Sequence, residues 1–200
     1  MTDGPTAASV VALYPAQTSL ATDRADAAVL AVLRDGPEGV EVLLIERAES
    51  DDDPASGQIG LPGGHVEPTD ASLAETAERE CGEETGISGR DIKGPPRFVL
   101  VSHALSSRVR VAVFTAELTP AGAVPTARDP TEVASVFWMP RAAFATMGVA
   151  ERETSVGLRR VPAVRFGKHV VWGFTLRVVR VLFGFEPLPA AEDTRPFSVV

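Results

Sequence analysis

Between Gly60 and Gly86 the chain reads GLPGGHVEPTDASLAETAERECGEETG, a glycine- and proline-punctuated loop running into a short helix whose end carries Arg-Glu-Cys-Gly-Glu-Glu. Such a stretch cannot lie in an ordinary core, because three carboxylates crowd into the final turns. It is either a solvated helix face or a place that holds something cationic. Asp70 is a good N-cap, and Gly86 stands where a helix C-terminus favours a residue that tolerates positive φ, which predicts a helix over 71–85. At about 100° per residue, Glu83 and Glu84 fall about 60° to one side and 40° to the other of Glu80, so the three share an arc of roughly 100°. Arg79 lies four residues before Glu83 and four after Glu75, placed to be clamped from both sides. The neighbouring face, Ala74, Ala77, Cys81 and Thr85, is small, which lets the helix approach a sheet closely and leaves the carboxylates at the seam.

Like charges at this spacing repel, and a hard cation removes the penalty. Oxygen ligands from glutamate suit Mg²⁺ or Mn²⁺, which take a few carboxylates and complete their shell with water and phosphate oxygens. The Pro62–Gly64 run lets backbone come close to that site and can offer the Gly64 carbonyl as a further ligand.

The rest of the chain bounds the fold. Two hundred residues with 44% apolar and 23% charged side chains describe a globular domain with a well-buried core, expected here as one domain over 1–200 with loose ends at about 1–8 and 186–200. Strand patterns run over 27–34 and 40–47, joined by a turn-rich DGPEG, and over 97–103, 108–118 and 132–140. A short helix is expected at 141–147, strands at 161–167 and 169–173, and a closing helix over 174–185. Strands outnumber helices, so the fold class is α/β (α+β), a mixed sheet covered by a few helices. The net charge of −8 argues against a nucleic-acid polymer or an acidic membrane as partner. No apolar run is long enough to span a bilayer, the N-terminal stretch lacks the pattern of a signal peptide, and Cys81 is the lone cysteine. A reducing cytoplasm is the compartment this implies. The apolar VVWGFTLRVVRVLF stretch can serve an interface between two copies as well as a core.

These residues resemble the Nudix hydrolases, whose box reads G, five residues, E, seven residues, R-E-U-x-E-E-x-G-U, with U aliphatic. Here Gly64 is followed after five residues by Asp70, and after eight more by Arg79-Glu80-Cys81-Gly82-Glu83-Glu84-Thr85-Gly86-Ile87. Cys81 replaces an aliphatic, Asp70 replaces Glu, and the spacing is one residue longer. The run Leu43-Leu44-x-x-Arg47, followed by Gly57 to Gly64 as G-x-x-x-L-P-G-G, is similar to the branch that hydrolyses coenzyme A and its derivatives, in which the longer spacing through Asp is normal. That branch carries a second Arg in the intervening loop, where this chain has the acidic Asp51–Asp53.

The resemblance implies an α/β/α sandwich and metal-dependent hydrolysis of a diphosphate linkage in a small nucleotide-derived substrate. It implies Glu80 and Glu84 as metal ligands, Glu83 as a ligand or a water holder, and Arg79 as the residue that orients them. The general base is one of the box glutamates or Glu132, which opens a strand. Arg47 with Gly63 and Gly64 is the expected diphosphate contact. Arg108 and Arg110, on one strand face, read as solvated charge. Trp138, Trp172 and Cys81 read as packing.

Overall fold

A computed structural model describes residues 4–16, 24–50, 56–104, 109–154, 157–186 and 188. Among the described residues, ten strands and three α-helices follow one another as α1 (Ala7–Val11), β1 (Ala27–Gly36), β2 (Gly39–Arg47), β3 (Ile59–Gly60), β4 (Gly63–His65), α2 (Leu73–Thr85), β5 (Arg97–Ala104), β6 (Val109–Glu117), β7 (Val133–Pro140), β8 (Gly148–Arg152), β9 (Arg159–Phe166), β10 (His169–Trp172) and α3 (Gly173–Leu182). Short 3₁₀ turns occupy Gly89–Asp91 and Arg141–Ala145.

Seven strands form a mixed sheet in the order β3-β2-β1-β6-β5, with β4 on the start of β1 and β7 on β2. The β1–β2 hairpin closes with Gly36 opposite Gly39. The pairing of β1 with β6 is parallel, while β4 lies antiparallel to Ala27–Val29. The smaller sheet is β10-β9-β8.

Strand β1 shows why both faces are covered. Its side chains alternate, with Ala28, Leu30 and Val32 in one core and Ala27, Val29, Ala31 and Leu33 in the other. The first core is closed by Leu73, Ala74, Ala77 and Cys81 of α2. The second is closed by Val10 and Val11 of α1 and by Leu176, Val179 and Leu182 of α3. A strand that is apolar on both sides needs a layer on each, which gives the α/β/α arrangement. Each fully buried Leu, Ile or Val contributes about 1.5–3 kcal/mol of transfer free energy. Among the described residues no helix is long and apolar enough to cross a membrane.

Two expectations change, and one strand is new. Helix α2 begins at Leu73, not 71, because Ser72 and not Asp70 caps it; its side chain accepts from the Glu75 N–H. The expected loose start is ordered over Ala7–Val11, where Thr6 and Ser9 form a capping box and the Ala7 N–H donates to Asp35 Oδ1 at 2.7 Å. Strand β8 had no sequence-based expectation. Most of 186–200, together with Arg108 and Asp51–Asp53, lies outside the described residues.

Candidate active site

The site forms where the glycine segment β4 meets α2 at one end of the large sheet. Gly63 has φ of 152°, and a Cβ there would strike the Ala28 carbonyl oxygen, so backbone approaches backbone as only glycine allows. Its N–H donates to Glu84 Oε2 at 2.9 Å. At Gly64 a Cβ would sit 2.5 Å from the Glu80 carboxylate carbon. Two adjacent glycines therefore make room for two glutamates one turn apart on the helix. The small face of Ala74, Ala77, Cys81 and Thr85, each no more than 4% exposed for the apolar members and 0% for Thr85, brings the helix down onto the sheet.

Arg79 organises the carboxylates. Its Nε donates to Asp70 Oδ1 and its Nη2 to Asp70 Oδ2, both at 3.0 Å, a two-pronged pair with a carboxylate only 2% exposed. The remaining donors reach Glu80 Oε1 at 3.0 Å, Glu83 Oε2 at 3.1 Å and the His65 carbonyl at 3.1 Å. Thr76 and the Glu67 N–H also donate to Asp70. These bonds hold the Asp70 carboxyl down at about 2, and its neighbours push the Arg79 guanidinium further toward the charged state. The expected clamp from Glu75 does not form. Glu75 Oε2 accepts the Ala71 N–H at 2.8 Å instead, so the second arm of the clamp is Asp70.

Burial raises the Glu84 carboxyl to about 7, against the pull of the Gly63 N–H, and the charges of Glu80 and Glu132 add to the rise. Glu80 is raised by burial as well, and Arg79 opposes that rise. Glu83 is the most open of the three, its side chain 59% exposed. The positive charge of Arg47, at the end of β2, acts on Glu84. Arg47 follows a register shift in the β2–β7 pairing, and its N–H donates to the Gln58 carbonyl at 3.0 Å. Glu132 is exposed, and its carbonyl accepts the Ala48 N–H at 2.8 Å. The fold thus gathers Gly63, Gly64, Arg79, Glu80, Glu83, Glu84, Arg47 and Glu132, all predicted from sequence, at one end of the sheet.

Among the described residues no three acidic, His or Cys side chains converge into a closed metal cage. The donor set nonetheless suits a hard cation. Glu80 and Glu84 are oxygen donors whose carboxyls are raised chiefly by burial, and the missing side chain at Gly64 makes room for the Glu80 carboxylate against the backbone. An ion that keeps several waters and takes one or two carboxylates fits this better than a closed cage would.

Other candidates settle elsewhere. Cys81 is fully buried, its thiol pushed up to about 12, and it packs as a small apolar residue. Arg110 pairs with Asp26 at 3.0 Å. His169 stacks on Phe137 with ring centroids 3.9 Å apart, and Trp138 lies beneath Arg34 at 4.2 Å. Sequence reasoning missed the clasp role of Asp70; the signal was its spacing, nine residues before Arg79 and outside the helix that Arg79 occupies.

Comparison with known proteins agrees with this geometry. The NUDIX domain family matches residues 24–157. A Nudix hydrolase called NudL, itself uncharacterized, from Salmonella paratyphi B is 34% identical over 138 residues, which is 64% of this chain and 66% of the relative. Its counterpart in Salmonella newport matches equally. The chain thus spans just under two thirds of the length of the curated relatives it matches. The crystal structure of a MutT/nudix family protein from Enterococcus faecalis is 18% identical and superposes with a TM-score of 0.51, covering 80% of this chain and 61% of that one, a likeness of fold. With the family match running through the glycine segment, the clasped arginine and all three glutamates, this chain belongs to the Nudix family.

Proposed function

We propose that the chain is a divalent-metal-dependent hydrolase that cleaves a diphosphate linkage in a nucleoside diphosphate derivative, with coenzyme A or an acyl-coenzyme A as the favoured substrate. The observation that carries this reading is the meeting of Glu80 and Glu84 with the backbone of Gly63 and Gly64. There a Cβ would displace one carboxylate, and a backbone N–H already engages the other.

Nudix hydrolases in general use divalent metal ions, and Glu80, Glu84 and Glu83 are the residues that would hold one here, with the Gly64 carbonyl as a further donor; Mg²⁺ or Mn²⁺ is the proposed ion. When bound, such an ion neutralises phosphate charge and makes water a better nucleophile. The chain's own part is positioning, which is most of what phosphoryl-type transfer asks of a protein. Arg79, held by Asp70, fixes the rotamers of Glu80 and Glu83. Arg47, whose positive charge acts on Glu84, is the proposed diphosphate contact together with Gly63 and Gly64. Glu132 and the box glutamates are the candidates to take the proton from attacking water.

Coenzyme A is favoured by the Leu43-Leu44-x-x-Arg47 and Gly57–Gly64 runs and by the longer spacing through Asp70. Asp70 supplies the physical reason for that spacing, since a carboxylate that clasps Arg79 from outside the helix needs chain to reach back. Other nucleoside diphosphate derivatives are the second reading: ADP-ribose, dinucleotides or nucleoside triphosphates. A catalytically silent binding module is the third, and it is disfavoured because Glu80, Glu83 and Glu84 are all present.

The test is chromatography of products after incubation with coenzyme A and Mg²⁺ or Mn²⁺. Release of 3′,5′-ADP and 4′-phosphopantetheine, abolished by chelator and restored by metal, is the expected result. Intact coenzyme A beside cleaved ADP-ribose or a dinucleotide would move the assignment to the second reading. No turnover of any of them would leave the third.

A further inference from the structure

The C-terminal end of α2 borders an open hollow of about 610 Å³ whose lining includes Glu78, Arg79, Glu83, Arg90 and Arg128. Arg79 and Glu83 belong to the clasp described above and answer each other at 3.1 Å. That leaves two guanidinium groups against the single carboxylate of Glu78, a surplus of positive charge in a chain whose net charge is −8. Arg128 is exposed, and its side chain has no hydrogen bond, ion pair or ring contact among the described residues. Arg90 is exposed too, and its Nε donates to the Ser88 hydroxyl at 3.2 Å. Its charge acts on Asp91, but that carboxylate already accepts from the Ser88 N–H and hydroxyl and from the Ala123 N–H.

Arg128 is placed rather than loose. The chain ahead of β7 is tied to the end of α2 by the Thr126 N–H, which donates to the Thr85 carbonyl at 3.0 Å, and by the Arg128 N–H, which donates to the Glu84 carbonyl at 3.1 Å. The guanidinium lies across Gly86, where a Cβ would stand 2.6 Å from Nε and 2.9 Å from Nη2. A cation at a helix C-terminus is favoured by the macrodipole. Here, though, the carbonyls of Gly82, Glu84 and Thr85 already have backbone donors, so they do not call on the side chain. The same loop carries Glu132, whose charge acts on Glu80 and Glu84. One segment thus serves the glutamates and sets a planar fork of donors beside them, the geometry that suits phosphate oxygens.

We propose that Arg90 and Arg128 form an anion site that takes a phosphate group beside the glutamates and without their metal. The phosphate belongs either to the molecule held at the glutamates or to a separate small molecule; the chemistry that recognises it is the same. The site goes beyond the diphosphatase reading and does not need it. Arg79 and Glu83 stand between the two places, so the arginines act on binding and not on bond cleavage.

The experiment is calorimetric titration of the metal-free protein with inorganic phosphate, for the wild type, Arg90→Gln, Arg128→Gln, Arg128→Lys and the double Gln variant. The wild type should bind phosphate saturably. Each Gln substitution should weaken that binding roughly tenfold, the loss of one charge-assisted contact, and Arg128→Lys should retain part of it. No saturable binding by the wild type, or wild-type affinity in the double variant, overturns the proposal. Thermal melts test the helix-end role: a midpoint lowered by Arg128→Gln while phosphate binds as before assigns the side chain to α2 and overturns the proposal. Arg90, on an exposed turn, reports on phosphate independently of that helix end. Repeating the titration beside bound Mg²⁺ and adenosine 5′-diphosphate then decides the source. Phosphate excluded by the nucleotide supports a site for the molecule held at the glutamates, and phosphate bound together with it supports a site for a separate one. Because nothing is hydrolysed, this result and the diphosphatase reading fail separately.

Discussion

Asp70 carries more of the site than its place in a loop suggests. It is a nearly buried carboxylate that fixes the one guanidinium on which Glu80 and Glu83 converge. Its folded pKa of about 2 lies below the ordinary 3.8. A depressed acid adds stability that is fully present above its unfolded pKa and is lost as pH falls toward the folded value. The window is therefore about pH 4 down to 2, and the size is about 2 kcal/mol. Asp70→Asn should lower the melting temperature at pH 7 by about 4–8 °C, with the gap to wild type closing as pH approaches 2. A gap unchanged across that window in parallel melts would remove Asp70 from this role. The sequence shows Asp70 as a conspicuous residue but not what it does. Ser72 and Asp70 are both good caps, and the choice falls to Ser72 because Asp70 is committed to Arg79, a contact that no local pattern reveals. In the same way the glutamate arc follows from helical spacing, while the division into buried Glu84, half-buried Glu80 and open Glu83 depends on how the sheet lies beneath.

At the scale of elements, β4 and α2 form one device from two unlike parts. Strand β4 is three residues long and has only glycines and a histidine, so no strand pattern announces it. Strand β8, GVAER, is as quiet, and so is the single helical turn at Ala7. The long strands were legible because β1 and β6 are dense in Val, Leu and Ala on both faces. The two glycines of β4 should respond differently to the same change. A methyl at Gly63 meets the main chain of β1 at a φ that disfavours side chains, so Gly63→Ala should cost stability, on the order of 2 kcal/mol or more. A methyl at Gly64 meets only the tip of Glu80, which can swing away, so Gly64→Ala should fold near the wild-type midpoint yet lose at least tenfold in turnover. Melting curves and rates measured side by side decide this. Equal destabilisation by both would mean that Gly64 is there for the backbone and not for the carboxylate.

Over the whole molecule, the sheet carries an acidic cluster at one end and two helical layers that hold it from either face. Glu84 is raised to about 7 chiefly by burial, with the charges of Glu80 and Glu132 adding to the rise, so the fold bears a cost in holding that carboxylate charged. A ligand that binds only the folded chain stabilises it by RT ln(1 + [L]/Kd), about 2.7 kcal/mol at a hundredfold excess over Kd. For a chain of this size each kcal/mol moves the midpoint by about 2–4 °C. Saturating Mg²⁺ or Mn²⁺ should therefore raise the melting temperature by about 5–10 °C at pH 7.5, and less at pH 5, where protons compete for the same carboxylates. Glu80→Gln removes one donor while keeping its shape and its bond to Arg79 within reach. It should melt at or slightly above the metal-free wild type, show little rise with metal, and have no measurable turnover. A full metal-dependent rise in Glu80→Gln would place the ion elsewhere, and a variant that turned over at the wild-type rate would detach this carboxylate from the chemistry. The pairing of the two readouts matters, because a carboxylate kept only for the helix would show neither the lost metal response nor the intact fold.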